Sequence, residues 1–168
     1  WSYFPHHWEV QVLKMKRPID IFEDDKLFKK ALASRIKWGG KVGLDGFMSD
    51  ADLRKAIRTA SGVQAVSNFR PVASASIYYK YARNGIVWDM SCGYGGRLIG
   101  ALASGSVKKY IGSDPCQLTY QGLKKIQEDF NHIDMEIDLN MIGSEDFIPG
   151  EKVDLCFTSP PYFNTEEY

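Results

Sequence analysis

The chain has 168 residues, is 44% apolar and carries a formal net charge of zero, which suits an ordinary globular chain with a core of its own. No apolar run approaches the ~20 residues that a helical membrane span requires. A zero balance excludes a strong electrostatic grip on nucleic acid by the chain as a whole, so any such grip needs a local basic face. The first residue is Trp1 rather than Met, and Trp1 to Trp8 lacks the continuous apolar core of a cleavable signal, so the chain reads as a fragment of a cytoplasmic protein. Cys92, Cys116 and Cys156 lie far apart without metal-ligand spacing and read as reduced thiols.

Trp1 to Pro18 is aromatic and irregular and carries no assignment. Leu27, Phe28, Ala31, Leu32 and Ile36 recur at helical spacing between Asp24 and Trp38, and Gly39-Gly40 stops that helix. Ser49 opens a second helix, with Asp52 as a short capping-box partner and Met48 and Leu53 as a hydrophobic staple; Gly62 ends it. Arg54, Lys55 and Arg58 read as its solvated face. From Ser67 the pattern changes. An extended piece reaches Pro71, which starts a helix running to the Asn84-Gly85 cap.

Ile86 to Asp89 then reads as a buried strand, followed by a glycine-rich turn and a helix from Arg97 to Ala103. Tyr110 to Asp114 is the second strand, and Pro115 begins a long helix carrying Leu118, Leu123, Ile126 and Phe130. Ile137, Leu139 and Met141 alternate as a third strand. Val153 to Phe157 forms a fourth, buried one. Short apolar strands alternating with helices predict an α/β, doubly wound parallel sheet, here strands one to four behind an N-terminal helical segment. The expected division is a helical leader over 1–66 and the α/β part over 67–168.

Two stretches carry the chemistry. The turn Asp89-Met90-Ser91-Cys92-Gly93-Tyr94-Gly95-Gly96 follows the first strand, where an open parallel sheet presents its ligand crevice, and its glycines let a backbone approach closely. A dinucleotide fingerprint would need glycine where the chain has Leu98. Asp114, at the end of the second strand, suits either ribose hydroxyls or an N-cap to the helix that Pro115 begins. The other stretch is Thr158-Ser159-Pro160-Pro161-Tyr162. Its two prolines cannot donate and fix φ, so the fourth strand ends in a stiff corner offering a hydroxyl and an aromatic ring.

Ser159-Pro160-Pro161-Tyr162 resembles the signature of amino-methyltransferases that use S-adenosylmethionine (SAM) to methylate the exocyclic amine of adenine or cytosine in DNA. The resemblance covers about Ser67 to Tyr168, and the leader is similar to that of phage-type DNA methylases of restriction-modification systems. It implies a Rossmann-like SAM fold, with Asp89, Ser91, Gly93 and Gly95 on the first cofactor motif. Asp89 would attract the sulfonium and amino group of SAM, whereas it would repel a pyrophosphate. Asp114, with Pro115 after it, would hold the ribose, and Glu145 or Asp146 the adenine amine. Phe69, Arg70 and Pro71, after Asn68, resemble the motif that packs on the methionine end.

At the corner, the resemblance implies that the Ser159 hydroxyl and the Pro160 carbonyl accept from the target amine, with Pro161 stiffening the site and Tyr162 stacking on the base. Serine in first place leans toward N4-cytosine. The implied partner is DNA, as a duplex with the target base flipped out. No metal is required. Three alternatives stay open: a catalytically silent SAM-fold module, methylation of RNA, and methylation of a protein glutamine. A further rival is the cytosine-C5 type, because Pro115-Cys116-Gln117 resembles its nucleophile motif, though that motif there follows the fourth strand. A chain ending after the corner would leave an exposed sheet edge that favours self-association.

Overall fold

The computed structural model describes residues 1–160 of the chain. Its described residues divide into two compact units, one of Trp1–Pro5 with residues 67–160, the other His6–Val66. In the first unit, β1 (Gly85–Asp89), β2 (Val107–Ser113), β3 (Glu136–Asn140) and β4 (Leu155–Cys156) form one sheet in the order β3-β2-β1-β4, with every pairing parallel. α4 (Pro71–Tyr81) precedes β1, and α5 (Gly96–Ser104) and α6 (Gln117–Asp129) are the crossovers. This is a Rossmann-like α/β sheet. The order steps outward from β1 to β3 on one side and resumes with β4 on the other, so the direction reverses between β1 and β4. In open parallel sheets a ligand crevice lies at such a reversal, beyond the carboxyl ends of the strands.

The core explains why these segments fold so. Val87, Tyr110, Leu98, Leu102, Leu123 and Ile126 are buried together with Tyr78 from α4. Gly100 lets α4 and α5 touch: a Cβ there would lie 1.9 Å from Ser74 Oγ and 2.7 Å from Pro71 O. Phe4, from the stretch left unassigned, packs into the same core against Gly122, where a Cβ would lie 2.4 Å from its ring.

Three expectations need correction. The fourth strand is neither long nor buried: β4 has two residues, and Cys156 is exposed. Its start is blunted because the Asp154 carboxylate, rather than a backbone carbonyl, takes the Ile86 N–H at 2.8 Å. Among the described residues it is also an edge strand. Pro115 does not start α6, which begins at Gln117 with Cys116 as N-cap, and Leu118 in its first turn is exposed. β3 ends at Asn140, leaving Met141 outside it and exposed.

The second unit contains α1 (Pro18–Glu23), α2 (Asp25–Lys37) and α3 (Asp50–Arg58), closed around Ile21, Ala31 and Ile57. Ser49 caps α3 by accepting from Asp52 N at 3.2 Å. Asp52 does not return the bond to the Ser49 backbone; its short carboxylate goes to Arg35 on α2, at 2.5 Å. Among the described residues, no helix is long and apolar enough to cross a membrane.

Candidate functional site

At the carboxyl end of β1, Asp89 is 0% exposed. One of its oxygens accepts from Arg97 Nε at 2.7 Å and from the Tyr110 hydroxyl at 2.6 Å, and the other faces Ser91 N at 3.3 Å. Arg97, also buried, donates in addition to the Ser91 carbonyl, and its guanidinium lies 5.7 Å from the centre of the Phe69 ring. Burial works against the charge on Arg97, but Asp89 outweighs it and raises the pKa. Burial, reinforced by Asp89, pushes the Cys92 thiol and the Tyr110 phenol well up. The acid read from the sequence as open to a ligand's positive charge is therefore taken up by an arginine of the same unit.

The rest of the turn is pinned from two sides. Asp114, 4% exposed, accepts from Gly93 N at 2.9 Å and from Cys116 N at 3.0 Å, so it ties the turn to the end of β2. It does not cap α6 in the expected way, because its bond goes to the N-cap residue and not into the first turn. Burial raises its pKa, and the two N–H groups pull the other way. On the second side, the Asn68 amide donates to Tyr94 O at 2.8 Å and accepts from Gly96 N at 3.1 Å.

The glycines of the turn do different work. Gly95 (φ 69°) sits over Ile126, Leu123 and Phe4, and Gly96 leaves room for the Phe69 carbonyl, which a Cβ would meet at 2.1 Å. Only Gly93 (φ 51°) faces open space, with nothing nearer to an added Cβ than Ser91 O at 4.0 Å. Close approach of a ligand to the backbone is thus available at Gly93. At Gly95 and Gly96 the missing side chain serves packing.

The corner after β4 meets this turn. The Ser91 hydroxyl lies 2.6 Å from the Thr158 hydroxyl and donates to the Ser159 carbonyl at 3.3 Å. Phe157 is half-buried edge-on to Phe69 and Tyr78, with ring centroids 5.4 and 5.5 Å apart. Ser159 and Pro160 are exposed. Pro161 and Tyr162 lie outside the described residues. Phe69 is thus near both halves, whereas Arg70 is exposed and forms the N-cap of α4 without a side-chain bond, and Pro71 is its first residue. Glu145 and Asp146 are exposed in a turn beyond β3, closed by Asp146 N donating to Gly143 O at 3.1 Å. Pro115 is exposed beyond β2.

Cys116 also follows β2, with β1 between it and β4. At ~4.8 Å per strand spacing, its strand end is roughly 10 Å from the corner. The described residues hold no group of side chains suited to a metal ion. The sequence reading missed Arg97 and Thr158 as site residues, whereas Asn68 was read with the Phe69-Arg70-Pro71 motif. Thr158 stands directly before Ser159, and Arg97 is a cation in the first turn of α5, facing back along the helix toward the acid that ends β1.

No family model matches the chain, and no curated protein does. Among solved structures, the chain is similar to the N-terminal domain of human METTL16, at 15% identity and a TM-score of 0.43 over 92% of this chain and 72% of that one. A dimethyladenosine transferase from Plasmodium falciparum is 20% identical with a TM-score of 0.44, over 54% of this chain and 31% of that one. The Trypanosoma brucei PRMT1 enzyme-prozyme complex with AdoHcy gives 23%, 0.43, 53% and 27%. The chain spans about a third or less of the length of these last two. Likenesses of this size decide nothing about substrate or activity, and the fold stands on the sheet order itself.

Proposed function

We propose that the chain is the SAM-binding and catalytic part of a methyltransferase acting on the exocyclic amine of a DNA base, N4 of cytosine or N6 of adenine. The observation that carries this reading is the meeting of Ser91 with Thr158 and Ser159. It joins the turn after β1 to the Ser-Pro-Pro-Tyr corner at the place where the sheet order reverses. In this reading residues 67–168 carry the chemistry and residues 1–66 are a leader.

The residues fit the cofactor in part. Open space above Gly93 suits close passage of a ligand, and Asp114 keeps unused lone pairs that suit ribose hydroxyls. Asp89 does not fit as a direct contact, because its carboxylate is enclosed with Arg97 and Tyr110. Its role is to fix the turn. Glu145 and Asp146 are exposed and suit an adenine ring, and Phe69 stands beside the corner against Phe157.

SAM supplies an electrophilic methyl group. The exocyclic amine is a poor nucleophile because its lone pair is delocalised into the ring. The Ser159 hydroxyl and the Pro160 carbonyl accept from the amine hydrogens and stabilise the charge that develops on nitrogen, an effect of about 3–4 kcal/mol where one such group has been removed. Tyr162 stacks on the base, which contributes about 1–3 kcal/mol. Ser91 holds the corner in register, so that amine and methyl meet in line.

Mass spectrometry of nucleosides from DNA incubated with the chain and SAM tests the reading, alongside calorimetry with S-adenosylhomocysteine. N4-methylcytosine or N6-methyladenine is the expected product. Binding of S-adenosylhomocysteine without product on DNA, RNA or protein glutamine favours the silent module. A folded chain that binds neither compound removes the cofactor assignment.

A further inference from the structure

The solvent face of α2 has a pattern that the methyltransferase chemistry does not use. Residues 26–41 contain Lys26, Lys29, Lys30, Arg35, Lys37 and Lys41 and no acid. Arg35 is engaged by Asp52, whereas the five lysines are exposed and, among the described residues, none is in an ion pair. Spacings of three, four and seven residues put Lys26, Lys29, Lys30 and Lys37 on one stripe, opposite the buried Ala31. From Lys26 to Lys37 the stripe is about 16 Å long.

An aromatic surface adjoins it. Trp38, the C-cap of α2, is 76% exposed, although its backbone N–H is held by the last carbonyls of the helix. It walls a groove of about 300 Å³ between α2 and α3, lined also by Ala31, Ser34, Arg35, Lys55 and Thr59, so the groove is on the Ala31 side of α2 and borders the stripe at Ser34, one turn beyond Lys30. Phe47, 74% exposed, is presented by a fixed turn: Gly43 N donates to Phe47 O at 2.7 Å, and Phe47 N donates to Asp45. Trp38, one residue beyond Lys37, puts an exposed ring next to exposed cations, the two parts of a single-strand nucleic-acid site, phosphate contacts and a stacking platform.

We propose that this face of the N-terminal unit binds an unpaired stretch of a DNA strand, with phosphates along the lysine stripe and a base stacked on Trp38 in the groove. The zero net charge of the chain hides this face, because the nearest acids in sequence, Glu23, Asp24 and Asp25, precede the stripe and none falls between Lys26 and Lys41. DNA as the source of the strand rests on the proposed function; the docking surface itself rests on α2 and the groove.

The test is fluorescence anisotropy of a labelled oligodeoxythymidylate with the whole chain across a salt series. Changing Lys26, Lys29, Lys30 and Lys37 together to Gln is expected to flatten the slope of log affinity against log salt by roughly 3. Trp38→Ala is expected to weaken binding about 10-fold and Trp38→Phe to restore most of it. Both variants should melt as the parent does and keep its affinity for S-adenosylhomocysteine. An unchanged slope in the lysine variant, tighter binding to a duplex that ignores Trp38→Ala, or binding to anionic phospholipid vesicles in place of the oligonucleotide would each overturn the proposal. Failure of the cofactor reading looks different: S-adenosylhomocysteine binding is absent while oligonucleotide binding remains.

Discussion

Around the turn after β1 the polar side chains are answered from within the unit: Asp89 by Arg97 and Tyr110, Asp114 by Gly93 and Cys116, Asn68 by Tyr94 and Gly96. The corner after β4 is built in the opposite way. Ser159 and Pro160 are exposed, they follow a two-residue edge strand, and among the described residues Ser91 alone bonds to Thr158 and Ser159. One side of the crevice is over-determined and the other is lightly held. Segments that must admit and release a large ligand come from the less stable end of a structure. The contrast therefore assigns binding precision to the β1 turn and adjustment to the corner, and substitutions on the two sides should fail differently.

The largest expected effect is on the rigid side. Arg97→Met leaves the Asp89 carboxylate buried without its cation, and breaking such a pair costs about 3–5 kcal/mol. Urea unfolding should show that loss, and Asp89→Asn in the same chain should recover much of it. A single substitution that leaves stability within about 0.5 kcal/mol would mean that Asp89 is not enclosed as described.

On the other side, Ser159→Ala should hardly move the unfolding midpoint, since an exposed side chain is worth at most about 0.5 kcal/mol. If the proposed amine contact holds, the same change should slow methyl transfer by about 100- to 1,000-fold, with affinity for S-adenosylhomocysteine intact. Equal losses of stability and activity would erase the contrast between the two sides.

The glycines sharpen it within the turn itself. Gly96→Ala drives a methyl group to 2.1 Å from the Phe69 carbonyl, which is backbone and cannot swing away. Overpacking of this sort costs about 1–3 kcal/mol. Gly93→Ala meets no neighbour and bears only the left-handed φ, about 1 kcal/mol. Its larger effect should be on ligand affinity, read by calorimetry, because that methyl group would point into the open space of the crevice.

These differences also mark what the sequence could disclose. The first three strands and the glycine turn were legible because each depends on local chemistry: apolar runs and positive φ. The α3 cap at Ser49 was legible for the same reason. Asp89 looked open because a strand-end acid reads alike whether or not an arginine closes on it, and Arg97 closes only when α5 folds back along β1. β4 looked buried because Val153 to Phe157 has the composition of an inner strand, and an edge position is a property of the sheet. Phe4 sits in no periodic pattern. Its place in the core depends on Gly122, more than a hundred residues away.

The smallest effect is a slope with two opposite signs. Burial raises the pKa of the Asp114 carboxyl, whereas in the unfolded chain it titrates at about 3.9. The folded state therefore holds this proton more tightly. The stability it contributes is fully present below the unfolded pKa and is lost as pH rises through the folded one, by at most about 1.4 kcal/mol per pH unit. Ribose hydroxyls need the charged carboxylate as acceptor, so affinity for S-adenosylhomocysteine should rise over the same window in which stability falls. Asp114→Asn shifts both baselines, because an amide cannot accept from Gly93 and Cys116 with two oxygens, but it has no proton to exchange and should flatten both slopes. Urea unfolding and calorimetry across that window check this, and parallel profiles for parent and variant would show that Asp114 does not titrate in the site.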